Sequence, residues 1–191
     1  GYGFLSENPQ FAQACADAGL TFIGPNASAM RAMGDKALAK ERMLAAGVPT
    51  APAYFGADQS AERLTREAQR IGYPLLIKAT AGGGGRGIRV LTDPHELLPA
   101  IESARREAQS AFGDGTIMLE KRIEHGRHVE VQVFADSHGN AVYLGDRDCS
   151  AQRRRQKLIE EAPAPGLSDA LRQRMGESAV QAALSIGYTG A

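Results

Sequence analysis

Apolar residues recur at Phe11, Ala14, Cys15 and Ala18, the spacing of a single helix face. The pattern predicts a helix from about Glu7, with Pro9 in its first turn, ending at Gly19. Thr21-Phe22-Ile23-Gly24 follows as a short predicted strand, and Pro25-Asn26 opens a second helix. Asp35 is an N-cap candidate for a third, ending at Gly47, with Leu38, Met43 and Leu44 facing inward. A further helix is predicted over about 60–71, closed by Gly72. The nearly unbroken apolar run from Tyr73 to Ala79 reads as a buried strand ending in Lys78-Ala79. A glycine-rich loop follows, then a strand at Ile88-Arg89-Val90-Leu91. Asp93-Pro94 starts a helix with Leu97, Leu98, Ile101, Ala104, Ala108 and Phe112 on one face. Ile117 to Lys121 is the next strand. His128 to Phe134 alternates with a period of two, as a half-exposed strand does. A turn at 136–140 returns the chain through a strand at 141–146. A basic loop over 152–157 leads into Leu158 to Glu161, and a final helix spans about 168–186. The order of elements makes this an α/β (α+β) chain in three unequal segments, 1–50, 51–122 and 123–191.

Composition narrows the class of function. The chain has 191 residues, 43% hydrophobic and 23% charged, and Lys+Arg and Asp+Glu are 22 each. Zero net charge disfavours a general nucleic-acid footprint. Aromatic residues make up 6% and Trp is absent, which leaves little for base stacking. No apolar run approaches the roughly 20 residues of a membrane helix. Cys15 and Cys149 lie far apart without CxxC spacing and read as ordinary thiols, not as a disulfide or zinc framework. A long helix followed by Gly187-Tyr188-Thr189-Gly190 normally feeds another strand, and the chain opens on a loop. The expectation is an excerpt of a larger protein.

Candidate chemistry concentrates in a few places. Gly82, Gly83, Gly84 and Gly85 sit between two strands, where four glycines serve no packing purpose and free backbone N–H groups can close over an anion. A mobile hairpin tip is the plain alternative. Lys78 at the root of the loop adds a cation and favours a phosphate flap. The spacing is neither a Walker loop nor a Rossmann phosphate loop. Lys36 lies at a helix start, where backbone amides favour anions; a solvated lysine is its plain reading. Glu120-Lys121-Arg122-Ile123 reads as an interdomain strand able to offer backbone groups to a base edge, or as a linker. His128 opens the alternating strand and is a candidate phosphate contact. The charged run from Asp146 to Lys157 lies between two core-like strands, and its arginines and lysine suit an oxyanion. RNA is the rival ligand for the Arg153-Arg154-Arg155 triplet.

Together these residues resemble biotin carboxylase, the ATP-grasp component of biotin-dependent carboxylases. The carriers of the resemblance are Gly1-Tyr2-Gly3-Phe4-Leu5-Ser6-Glu7-Asn8, Gly34-Asp35-Lys36, Ile77-Lys78 to Gly87 and Met118-Leu119-Glu120-Lys121. Arg127-His128-Val129-Glu130, Arg147-Asp148-Cys149-Ser150 and Gln156-Lys157 with Glu160-Glu161-Ala162-Pro163 complete it, in order along the whole chain. The resemblance implies an ATP-grasp fold: residues 1–50 as the end of a Rossmann-like N-terminal domain, 51–122 as a mobile lid, and 123–191 as the start of the C-terminal domain. It implies that Lys36 and Lys78 hold nucleotide phosphates beneath Gly82 to Gly85. Glu120, Lys121 and Ile123 would meet adenine and ribose, and His128 and Gln152 would line the nucleotide site. Arg155 would stand near the ribose, at a position where the family carries His or Asn and from whose pattern an arginine departs. Lys157 would lie near bicarbonate and the transferred phosphoryl group. The implied activity is ATP-dependent carboxylation of carrier-bound biotin by bicarbonate through carboxyphosphate. ATP and Mg²⁺ or Mn²⁺ are the implied cofactors, with the metal ligands outside this chain. The implied partners are a biotin carboxyl carrier and a carboxyltransferase subunit, in a homodimer, with no nucleic acid and no membrane. The implied compartment is the cytoplasm, or the mitochondrial matrix of a eukaryote. Rival readings are another ATP-grasp ligase, of carbamoyl-phosphate or carboxylate-amine type, and a nonenzymatic nucleotide-binding module. The excerpt alone is expected to be inactive.

Overall fold

A computed structural model describes residues 3, 5–80, 88–153 and 156–190. Six α-helices and seven strands are found among them: α1 (Pro9–Asp17), α2 (Ala27–Gly34), α3 (Lys36–Ala45), β1 (Ala53–Tyr54), α4 (Ala61–Ile71), β2 (Leu75–Ala79), β3 (Ile88–Leu91), α5 (Leu97–Phe112), β4 (Ile117–Lys121), β5 (Val129–Ala135), β6 (Ala141–Arg153), β7 (Gln156–Glu161) and α6 (Asp169–Ser185). The chain divides into two compact units.

One unit comprises 35–37 and 50–124. Its four-stranded sheet runs in the order β1-β4-β2-β3, with the neighbouring pairs antiparallel. The β2 run Leu75 to Ala79 alternates buried and half-buried, so Leu75, Ile77 and Ala79 face the core while Leu76 and Lys78 take the other face. Leu64, Ala68 and Ile71 of α4 and Leu97, Ile101 and Ala104 of α5 close over the same core. Each fully buried leucine or isoleucine contributes about 1.5–3 kcal/mol of transfer free energy. Ser60 caps α4 by accepting from the Arg63 amide at 3.3 Å. Gly72 ends it at φ 78°, a left-handed conformation that glycine adopts without a Cβ penalty. Asp93 starts a single 3₁₀ turn (Pro94–Glu96) before α5. On α5 the buried stripe is Leu97, Ile101, Ala104 and Ala108; Leu98, expected inside, is exposed. It follows Leu97 by one residue, about 100° around the helix, and so leaves the stripe.

The other unit comprises 1–34, 38–49 and 125–191. Its antiparallel sheet β5-β6-β7 carries α6 against β5 and β6. Ser168 caps α6, its hydroxyl accepting from the Leu171 amide. Asp146, nearly buried, accepts from the Ala164 amide at 2.7 Å and from Arg172 of α6, fastening helix to sheet. Gly176 lets α6 approach β6, because a Cβ there would stand 2.5 Å from the Tyr143 ring.

Four expectations are corrected. Residues 21–24 form no strand. Three apolar-leaning residues found no ladder; Phe22 instead stacks edge-on to Phe11, centroids 6.0 Å apart, and Ile23 is exposed. On α1 the buried residue is Ala12 and Phe11 is exposed. On α3 the buried residues are Ala39, Lys40 and Met43, whereas Leu38 and Leu44 are exposed. The basic run over 152–157 is no loop between core-like strands: β6 continues to Arg153, which pairs with Gln156 at the start of β7. β7 is exposed along its whole length, Leu158 and Ile159 included.

Candidate functional site

The alternation of β5 puts His128, Glu130 and Gln132 on one side of the strand. Register places Arg147 of β6 directly opposite Glu130, and Lys157 of β7 opposite Gln152. These positions gather charge around Glu130. Lys157 Nζ pairs with its Oε1, Arg147 Nη2 lies 3.3 Å from Oε2, and His128 Nε2 lies 3.3 Å from Oε1. Arg147 also donates to Gln132 Oε1 at 3.1 Å and approaches Glu160 at 3.7 Å, while Lys157 stands 3.8 Å from Glu160. The Lys157 ammonium, joined by the Arg147 guanidinium, holds Glu130 below the usual carboxylate range against a smaller opposing effect of burial. Glu130 in turn raises Lys157 above the ordinary lysine value. Lys157 is therefore a fixed ammonium, and Glu130 is an anchor held as a carboxylate. Beneath them lies the fully buried Cys149, whose thiol is pushed up by burial and then by Glu130.

His128 is pinned twice. Its backbone N–H donates to Ser150 Oγ at 2.9 Å, and its carbonyl accepts from the Cys149 amide at 2.7 Å. Its ring lies between Glu130 and Gln152, whose Nε2 is 2.5 Å from Nδ1. Next to it, Arg127 forks onto Asp148 Oδ2 at 2.8 and 2.6 Å. The Ser150 hydroxyl and amide, with Arg127, push the Asp148 carboxyl down to about 2.

The first unit holds a second group. Lys78 of β2 and Glu120 of β4 share a sheet face by register, and their side chains form an ion pair, both largely buried. Lys121 points to the other face, where its ammonium donates to the carbonyls of Tyr73 at 2.7 Å and Gly72 at 3.2 Å. Its own amide donates to Pro52, and that of Arg122 to Pro74. The Ile123 side chain is exposed. Lys36 is the first residue of α3, half-buried, after Asp35, whose carboxylate accepts from the Ala37 amide at 2.9 Å.

Among the residues expected at the site, His128, Gln152 and Lys157 are thus brought together on one sheet, and Lys78 and Glu120 on another. Lys121 is directed away from Lys78. Gly82 to Gly85 and Arg155 lie outside the described residues. Glu130 and Arg147 have no expected role within the motifs that contain them, yet the period of two that identifies β5 also puts Glu130 beside His128. Among the described residues no group of three or more His, Cys, Asp or Glu could hold a metal ion.

Lysine–carboxylate pairs stand on both antiparallel sheets of this α/β chain, and comparison with known proteins supplies the family. The family described as "Carbamoyl-phosphate synthase L chain, ATP binding domain" matches residues 35–191, and "Biotin carboxylase, N-terminal domain" matches 1–30. The mitochondrial methylcrotonoyl-CoA carboxylase subunit alpha of Dictyostelium discoideum is 56% identical over 191 residues, all of this chain and 27% of that protein. A biotin carboxylase from Campylobacter jejuni, solved as a beta-gamma-ATP complex, superposes with TM-score 0.89 at 53% identity, over 100% of this chain and 43% of its own. The biotin carboxylase domain dimer of Hydrogenobacter thermophilus 2-oxoglutarate carboxylase, in complex with MgADP, ADP and bicarbonate, matches with TM-score 0.86 at 51% identity, over 99% of this chain and 42% of that one. The chain belongs to the biotin carboxylase family and has its mixed helix-and-sheet ATP-grasp fold. It spans about a quarter of the length of the curated relative.

Proposed function

We propose that the protein containing this chain carboxylates carrier-bound biotin with bicarbonate at the expense of ATP. A bicarbonate oxygen attacks the γ-phosphorus, the O–P bond forms as the bridging O–P bond breaks, and ADP leaves. Carboxyphosphate then yields CO₂ and phosphate, and N1 of biotin takes up CO₂ as its proton passes to the released phosphate. The observation that carries this reading is the Glu130 cluster. It fixes an ammonium, a guanidinium and an imidazole on one sheet face, the arrangement that oxyanion and phosphoryl chemistry uses for positioning and charge stabilisation.

In this reading Lys157 meets bicarbonate and the transferred phosphoryl group, and His128, Gln152 and Arg155 line the nucleotide site. Lys36 and Lys78 hold phosphates under Gly82 to Gly85. Glu120, Lys121 and Ile123 face adenine and ribose, with Lys121 acting through its backbone because its ammonium is engaged by Gly72 and Tyr73. Residues 1–50 end the N-terminal domain, 51–122 form a lid that excludes water from a short-lived intermediate, and 123–191 begin the C-terminal domain. A biotin carrier and a carboxyltransferase are the partners, the protein is a homodimer, and the compartment is the cytoplasm or the mitochondrial matrix.

The test is steady-state kinetics on the full-length protein. Bicarbonate-dependent ADP release and carboxylation of free biotin are expected. Lys78→Ala raises KM for ATP about 10- to 100-fold, the worth of a charge-assisted hydrogen bond. Lys157→Ala mainly lowers kcat. ADP release that needs ammonia and is indifferent to biotin would assign the chain to another ATP-grasp ligase, and nucleotide binding without turnover would make it a binding module.

A further inference from the structure

The Gln152 side chain does more than approach His128. Its Nε2 lies 2.7 Å from the Cys149 carbonyl oxygen and 2.5 Å from His128 Nδ1. A carbonyl oxygen can only accept, so the Gln152 atom facing it is the NH₂ nitrogen and not the amide oxygen. That nitrogen carries two hydrogens and no lone pair available for acceptance. One hydrogen goes to Cys149, and the other points at the histidine ring. His128 Nδ1 must then present a lone pair, which leaves the ring proton of neutral imidazole on Nε2. Nε2 is the nitrogen that faces Glu130 Oε1 at 3.3 Å, an acceptor. The two ends of the ring therefore demand the same tautomer independently.

We propose that Gln152 is a positioning residue that fixes His128 as the Nε2–H tautomer. The amide is itself oriented by the Cys149 carbonyl, and the imidazole N–H is delivered to Glu130. The consequence is a chain of donors, backbone-anchored at Cys149, that ends on the same carboxylate that holds Lys157 and Arg147. Glu130 Oε1 receives His128 and Lys157, and Oε2 receives Arg147. Neither ring nitrogen of His128 is left over for a phosphate. A nucleotide that used one would first displace Gln152 or Glu130. The tautomer assignment stands on geometry alone; its bearing on catalysis rests on the function proposed above.

The experiment is long-range ¹H–¹⁵N NMR of the histidine rings in the full-length protein, without nucleotide, at a pH where the ring is neutral. Loss of one signal set in His128→Gln identifies His128. The expected result is the Nε2–H pattern in the wild type and its loss in Gln152→Glu, whose carboxylate accepts from Nδ1–H instead of donating to it. A wild-type Nδ1–H pattern overturns the proposal, as does an Nε2–H pattern that Gln152→Glu leaves untouched. Because no turnover is measured, failure here is distinguishable from failure of the proposed activity.

Discussion

The two sheets of this molecule use their residues in opposite ways. The sheet β1-β4-β2-β3 buries Leu75, Ile77, Ile117 and Leu119 completely beneath two helices. The sheet β5-β6-β7 leaves an edge strand wholly exposed and gives positions on its three strands to Glu130, Arg147 with Gln152, and Lys157. The first is held by burial and the second by α6 and a web of charged hydrogen bonds. Surface ion pairs contribute little to stability, with a median of about 0–1 kcal/mol. The charges of the second sheet are thus better explained by what they position than by what they stabilise. The difference can be broken from either side.

The largest effect is expected in the packed unit. Leu75→Ala removes a fully buried side chain from the middle of its core and should destabilise by about 2–5 kcal/mol in denaturant unfolding. Catalysis measured well below the new midpoint should change little. A loss below 1 kcal/mol would mean that this core relaxes around the cavity.

Glu130→Gln is the opposite experiment. It removes the carboxylate that Lys157 and Arg147 share while keeping size and one acceptor. Thermal unfolding should stay close to wild type. Bicarbonate-dependent ATP hydrolysis should fall about 10²-fold, the loss that comes with a functional group misplaced by about 1 Å. Equal loss of stability and activity would show that the charge web is structural.

How much of this was legible in the sequence follows the same division. The packed unit announced itself: β2, β4, α4 and the Leu97-Ile101-Ala104 stripe are written as apolar runs or helical spacing, because burial is what those residues do. The two-residue β1 shows no signal, because it directly follows Pro52 and is too short to show a period. Residues 21–24 were overread, since local apolar character cannot supply a pairing partner. In the charged unit, β5 was visible through its alternation. The far half of β6 reads as a loop because polar residues replace the hydrophobic pattern: Arg147 and Gln152 reach Glu130 and His128, Asp148 and Ser150 hold the His128 segment, and neither face advertises a strand. His128 and Lys157 were candidates already by their place on the alternating strand and in the charged run; the family resemblance added Gln152 and gave all three their roles. Glu130, which connects His128 and Lys157 directly, carried no signal beyond its place two residues after His128.

The smallest effect sharpens the comparison through pH. Asp148 accepts the Arg127 fork and the Ser150 amide, and its carboxyl is pushed down to about 2 from an ordinary 3.8. A folded-state value below the unfolded one means that the group stabilises the fold above pH 4 and that this contribution disappears as pH falls through about 2. Asp148→Asn should therefore melt below the wild type by a constant margin at neutral pH. The margin should narrow once pH drops under 4 and close near 2, where the wild-type carboxyl is itself being protonated. Leu75→Ala should show no such convergence, because the term it removes carries no proton. A margin for Asp148→Asn that persists at pH 2 would mean that shape, not charge, ties Arg127 and Ser150 to the strand that presents His128.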